Sequence, residues 1–281
     1  ECGLPKGTQV VIGGGDGMCA SVGAGSVAPG NMYNCLGSSS WVSLTTEKPV
    51  FDPQMRTFNW AHVVPGLIGP CGTMQAAGLS YEWALQTLYS NELKLAQKRS
   101  EVIKLADSEI QSSPVRARNL LCLPYLIGER SPRWNPRAKG SFIGLTSEHT
   151  RSDMMRSVVE GMALNLKIIF DILASGQDIK EMTVIGGLAK GQVIRSILAD
   201  VFEIDIVKPN RAEEATSIGA AVTAGVGAGL IPDFTDVHRF INTESRQSPD
   251  RSASKRYRDM ALLFDASYTA LTGVFDSLSQ V

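Results

Sequence analysis

A carboxylate enclosed by glycines, Gly13-Gly14-Gly15-Asp16-Gly17, follows the short apolar run Val10-Val11-Ile12. Glycines at the end of a strand let the backbone turn sharply and let a ligand come close, which leaves the one acidic side chain facing a cleft. That mounting suits a general base; the competing reading is a turn in which Asp16 only hydrogen-bonds its own backbone. Two more glycine turns stand at expected strand ends: Gly37-Ser38-Ser39, and Gly186-Gly187-Leu188-Ala189-Lys190-Gly191 followed by Gln192. Backbone N–H groups exposed in such turns, and at the helix start after the last of them, form pockets for phosphate or a nucleotide. None is a P-loop or a Rossmann fingerprint. Three such turns with a cleft aspartate point to phosphoryl transfer, in which Asp16 accepts the proton of an attacking hydroxyl. Gly37-Ser38-Ser39 would then donate to the terminal phosphates, Gly186-Gly187 would lie close to the adenosine, and Mg²⁺ would neutralise charge.

The elements that must position these residues read as follows. A strand over 10–12 leads into the first glycine turn and a short helix over 18–24, and two strands flank residues 37–40 as an antiparallel hairpin. A further strand is expected over 58–64, with helices over 74–90 and 101–111, and an irregular stretch rich in Pro, Arg and Gly over 112–140. The clearest helix runs from 151 to 174, where Met155, Val158, Val159, Met162, Leu166, Ile169 and Leu173 recur at i, i+3, i+4 spacing. Thr150 with Asp153 caps its start, and Gly176 marks its stop. Strands over 182–185 and 204–207 then alternate with helices over 192–202 and 215–228, a pattern of α/β layers. Ser248-Pro249 opens a last amphipathic helix, whose apolar face could pair two copies or pack on its own domain.

With 281 residues, 43% of them hydrophobic, and a net charge of -1, the chain can bury a full core. Nothing in its charge balance argues for nucleic acid or a membrane surface. Its apolar runs fall well short of the roughly 20 residues a bilayer span needs, and a cytoplasmic protein is expected. Cys2, Cys19, Cys35, Cys71 and Cys122 form no C-x-x-C pair, so no metal site is expected and most should be small buried hydrophobes. Trp60 and Trp134 read as packing residues, His62 and His149 as hydrogen-bonded structural histidines, and Glu129 with Arg130 as either a surface ion pair or part of a functional motif.

The stretch Gly140-Ser141-Phe142-Ile143-Gly144-Leu145, followed by Asp153-Met154 and Ser157-Val158-Val159-Glu160, resembles the signature of the FGGY carbohydrate kinases. Gly15-Asp16-Gly17, Leu36-Gly37-Ser38-Ser39, Gly128-Glu129-Arg130, Gly186-Gly187 and Ser217-Ile218-Gly219-Ala220-Ala221 stand in the family's order. The resemblance spans roughly residues 3–275, and only the C-terminal half of the family. It implies an actin-like, ribonuclease-H-like ATPase domain with a mixed sheet flanked by helices, here the nucleotide-binding half over 1–281. An N-terminal half carrying most sugar contacts would complete the cleft. The resemblance also implies Asp16 as catalytic base with Gly17 beside the substrate, Gly37, Ser38 and Ser39 at the phosphates, and Gly186, Gly187, Gly191 and Gln192 at the adenosine, with ATP and Mg²⁺. The run Leu123-Pro124-Tyr125-Leu126-Ile127-Gly128-Glu129-Arg130-Ser131-Pro132 is most similar to the pentulose-kinase branch, which implies D-xylulose as acceptor. The alternatives are another polyol or sugar acid (glycerol, gluconate, ribulose or a signalling polyol), or a nucleotide-binding module without catalysis.

Overall fold

The computed structural model describes residues 3–280, so Cys2 lies outside the described residues. Helix α1 (Asp16–Gly23) precedes the hairpin of β1 (Met32–Leu36) and β2 (Ser40–Leu44), then come β3 (Phe58–Ala61) and β4 (Ile68–Met74). Helices α2 (Gly78–Leu88), α3 (Ser90–Leu95) and α4 (Arg99–Ser112) follow, with a small sheet of β5 (Leu121–Leu123) and β6 (Ser141–Ile143). The remainder is α5 (Arg151–Leu173), β7 (Glu181–Ile185), α6 (Gln192–Phe202), β8 (Asp205–Pro209), α7 (Ala215–Gly227), β9 (Thr243–Gln247) and α8 (Arg251–Leu278).

Seven strands form one mixed sheet in the order β3-β4-β2-β1-β7-β8-β9. The β1–β7 and β7–β8 pairs are parallel, while the hairpin registers Met32 against Leu44 and Leu36 against Ser40. A side chain on Gly69 of β4 would meet Met18 of α1, and one on Gly72 would meet Ile169 of α5. Positions an odd number apart on a strand face opposite ways, so α1 covers one face of the sheet and α5 the other. Helix α5 is buried along most of its length, as its spacing requires, and the Asp153 carboxylate accepts the Thr150 N–H and hydroxyl at 2.9 and 2.8 Å.

The expected strand over 10–12 is not formed. Val10 and Ile12 are 93% and 94% exposed, because the run has no neighbouring strand to pair with and passes straight into the glycines. Strand β4 and the short β5 and β6 were not expected, and the segment 74–77 precedes α2 rather than belonging to it. Cys19, Cys71 and Cys122 are buried free thiols and Cys35 is half-buried, as small hydrophobes should be. No helix among the described residues is long and apolar enough to cross a membrane.

His62 joins the end of β3 to α1. Its Nδ1 accepts the Val64 N–H at 3.0 Å, and Ser21 gives its own proton to the Ser26 carbonyl, so Nε2–H must donate to Ser21 Oγ at 2.8 Å. Burial pushes the imidazole down from 6.5 to about 4. A depressed histidine contributes stability above its unfolded pKa and loses it as the folded form is forced to take a proton. The urea midpoint should therefore fall as pH drops from 6.5 toward 4, and less so in His62→Gln. Equal slopes for the two proteins would show that His62 is not the group responsible.

Candidate active site

Asp16 is the first residue of α1 and its side chain is exposed. The carboxylate is thus presented by a helix start, and not by the end of a strand. Gly17 N–H donates to Asp16 Oδ1 at 2.8 Å, which leaves Oδ2 free to accept from a ligand. Behind the helix start, the buried Tyr33 hydroxyl donates to the Gly17 carbonyl and accepts from Trp41 Nε1 at 2.8 Å. That relay ties the aspartate turn to the hairpin.

A cavity of about 580 Å³ opens in front of Asp16, and Ser39, Trp41, Trp60, Thr73 and Arg130 are among the side chains that line it. Among the described residues, Asp16 is its one carboxylate and Arg130 its one cation. Trp60 is 54% exposed and forms part of this wall, which corrects its reading as a packing residue. Phe58 and Trp60 sit two residues apart on the edge strand β3, so alternation aims both rings at the same side, where they meet edge to face at 5.8 Å. Trp134 touches Phe58 and its Nε1 donates to the Met55 carbonyl at 2.8 Å, yet at 48% exposed it packs on one side only.

The turn over 37–39 is fixed from behind. Amides at the start of α2, Gly78 and Leu79, donate to the carbonyls of Gly37 and Ser38 at 3.0 Å each. Ser38 and Ser39 are exposed, and their hydroxyls make no hydrogen bond among the described residues. At the same carboxyl end of the parallel strands, Gly186 follows β7 with φ +90°, a conformation that glycine adopts without strain. A side chain there would stand 2.7 Å from the Leu36 carbonyl oxygen, at the root of the serine turn. Ligands of open α/β sheets bind outside such strand ends. A side chain on Gly187 would meet Glu213 Oε1 at 4.0 Å, an ordinary contact, and Gly191 caps α6. Gln192, expected with these glycines, faces a different space, a cavity of about 440 Å³ between α4 and α6 lined also by Lys104, Asp107 and Asp200. The sequence-expected residues therefore divide between the Asp16 cavity (Asp16, Gly17, Ser39), the adjoining strand ends (Gly37, Ser38, Gly186, Gly187) and the α6 start (Gly191, Gln192).

Glu129 and Arg130 are not an ion pair. Glu129 is 4% exposed; its Oε1 accepts the N–H groups of Gln75 and Arg130 at 2.7 and 2.9 Å, and Oε2 accepts Asn165 Nδ2 at 3.0 Å. Burial pushes the carboxyl up to about 7 against the pull of those donors. Among the described residues no group of three His, Cys, Asp or Glu is placed to hold a metal ion. Tyr33, Trp41 and Trp60 were missed from the sequence, although the Phe58/Trp60 alternation on a short strand was a signal that could have pointed to the aromatic wall.

The family model described as "FGGY family of carbohydrate kinases, C-terminal domain" matches residues 32–228. A xylulose kinase of Staphylococcus epidermidis is 33% identical over 272 residues, covering 95% of this chain and 52% of that protein. A gluconokinase of Bacillus licheniformis is 30% identical over 294 residues, covering 99% and 56%. Among solved structures, ligand-bound xylulose kinase from Lactobacillus acidophilus superposes with a TM-score of 0.88 at 25% identity, over 98% of this chain and 54% of that one. The chain spans about half the length of the curated relatives it matches.

Proposed function

This chain belongs to the FGGY family of carbohydrate kinases, and we propose that it is the C-terminal half of an ATP-dependent sugar kinase whose N-terminal half forms the facing wall of the cleft. Its mixed sheet flanked by helices is the actin-like ATPase fold of its structural neighbours. The observation that carries the proposal is the shared cavity: a carboxylate with one free oxygen and a serine of the glycine turn line the same space.

In the reaction, the acceptor hydroxyl oxygen attacks the γ-phosphorus of ATP. A new O–P bond forms, the bond from that phosphorus to the bridging oxygen breaks, and ADP leaves with the electron pair. The hydroxyl proton passes to Asp16 Oδ2. Hydroxyls and N–H groups of Gly37-Ser38-Ser39 meet the phosphates, and the chain at Gly186, Gly187 and Gly191 borders the adenosine, without Gln192, which faces the cavity between α4 and α6. Sugar kinases of this family use ATP with Mg²⁺. A single cavity carboxylate does not make an ion site on this wall; such an ion is held largely by the phosphates and, we propose, by the facing half. Closure of the two walls excludes water, which would otherwise take the phosphoryl group.

D-Xylulose is the proposed acceptor, giving D-xylulose 5-phosphate. The similarity to xylulose kinases and the run Leu123 to Pro132 support it, and the gluconokinase relatives define the main competitor. The test is Mg²⁺-ATP-dependent ADP release by a protein joining this chain to its N-terminal half, over ketopentoses, gluconate, glycerol and hexoses, with this chain alone as control. Release with D-xylulose and silence from the single half is the expected result. Preference for gluconate would replace the acceptor, and silence with every sugar while nucleotide still binds would leave a non-catalytic module.

A further inference from the structure

We propose that Arg130 is a second catalytic residue of this wall, whose guanidinium meets the phosphoryl group in transit between nucleotide and acceptor. The inference rests on the kinase reading and adds to it a residue that the glycine turns do not reveal. Arg130 is exposed, lines the cavity of Asp16 and Ser39, and its guanidinium makes no hydrogen bond or ion pair among the described residues. Nearby arginines are spent on structure: Arg56 forks onto Asp52 at 2.8 Å, and Arg133 pairs with Asp265 at 2.6 Å while lying over the Tyr268 ring.

The backbone of Arg130 is held from several sides, although its side chain is held from none. Its N–H is gripped by the buried Glu129 carboxylate, and its carbonyl accepts the Arg133 N–H at 2.8 Å. Glu129 and Asn135 exchange two backbone bonds of 2.9 Å, and the grip of Glu129 on Gln75 and Asn165 fastens the loop to the end of β4 and to α5. Such a loop fixes the origin of a long side chain and leaves the head group to an incoming partner. A guanidinium offers five donors and no acceptor, so the partner must accept hydrogen bonds, and the positive charge favours an anion over a neutral acceptor. Asp16 is not that partner, for the two make no ion pair. The transferring phosphoryl group spreads negative charge over three equatorial oxygens, which suits the planar fork of arginine. Its path runs through the space that Asp16, Ser39 and Arg130 share.

The test uses the joined two-half protein. Arg130→Gln should lower kcat by about 10²- to 10³-fold, the scale of losing one preorganised donor to transition-state charge, with KM for ATP and for sugar each changed less than about threefold, a split that a transition-state contact predicts. Guanidinium ion added to Arg130→Ala should restore part of the lost turnover, and Arg130→Lys should stay well below wild type. Calorimetry supplies a readout without turnover: ADP with aluminium fluoride and sugar should bind the wild type more tightly than ADP with sugar, and Arg130→Gln should lose that difference. A raised sugar KM at unchanged kcat would make Arg130 an acceptor contact and overturn the proposal, as would fluoride-complex binding indifferent to the substitution. Failure of Asp16→Asn to reduce turnover would instead count against the kinase mechanism, so the two readings fail separately.

Discussion

Asp16→Asn, made in a protein that joins this chain to its facing half, lowers kcat for sugar phosphorylation by about 10²- to 10⁴-fold, the contribution a positioned general base makes, while nucleotide affinity stays close to that of wild type. The substitution is nearly isosteric. The amide oxygen still accepts the Gly17 N–H, so the start of α1 keeps its local bond. What changes is the second position, where an NH₂ group replaces Oδ2 and can donate but not accept. The side chain is exposed and packs in no core, so unfolding offers no alternative route to lost activity. Loss of kcat with unchanged ATP KM would mark an interaction made in the transition state. Steady-state ADP release and calorimetric ADP binding check the two halves of the result. Full turnover by the variant would remove Asp16 from the mechanism.

Much of this site was legible because glycine carries backbone information that does not depend on tertiary context. The turn over 37–39 is a hairpin end, and Asp16 does face open space. Helices with strong apolar periodicity, α5 and α6, lie where their spacing puts them, and the mixed sheet flanked by helices follows from the alternation around them. The signature residues Asp153 and Glu160 proved structural. Asp153 caps α5, and Glu160 is buried, accepting from Arg156 and from the Tyr257 hydroxyl at 2.6 Å each, which ties α5 to α8. A motif can be specific to a family without touching its chemistry.

The rest was illegible for identifiable reasons. Strand β4, Ile-Gly-Pro-Cys-Gly-Thr-Met, contains two glycines and a proline and has no alternation, because helix side chains press into it from both faces. Strand β9, Thr-Glu-Ser-Arg-Gln, is an edge with charged side chains, a composition that protects edges from pairing and conceals them from hydrophobic pattern. Val10-Val11-Ile12 has strand propensity and no partner, so propensity alone misled. Gln192 stands close to Gly186, Gly187 and Gly191 in sequence, yet the start of α6 turns it toward a cavity of its own. Tyr33 and Trp41 acquire meaning only through contacts between separate segments, the aspartate turn and the hairpin.

Gly219→Ala should destabilise the chain by about 3 kcal/mol or more, the upper range for forcing atoms into a packed interface. Two effects oppose each other. Alanine in a helix interior is favoured over glycine by about 1 kcal/mol, and α7 would gain that. Against it, a methyl group on Gly219 would stand 1.8 Å from the Cys19 carbonyl oxygen of α1, and one on Gly23 would stand 1.7 Å from the Ala215 carbonyl oxygen of α7. Both obstructions are helix backbone, which cannot swing aside as a side chain can, so the clash wins and the helices must part. Gly273 in α8 isolates the propensity effect, because a methyl group there meets nothing within 4 Å. Gly273→Ala should therefore be neutral or stabilising by up to about 1 kcal/mol, while Gly219→Ala moves the denaturant midpoint the other way. The helix displaced is the one that begins with Asp16, so in the joined protein the same substitution should also reduce kcat, because about 1 Å of misplacement at a reacting group can cost 10²-fold. Equal stability of the two alanine variants would mean that α1 and α7 do not cross this closely, and would detach the Ser217–Ala221 motif from the positioning of the base.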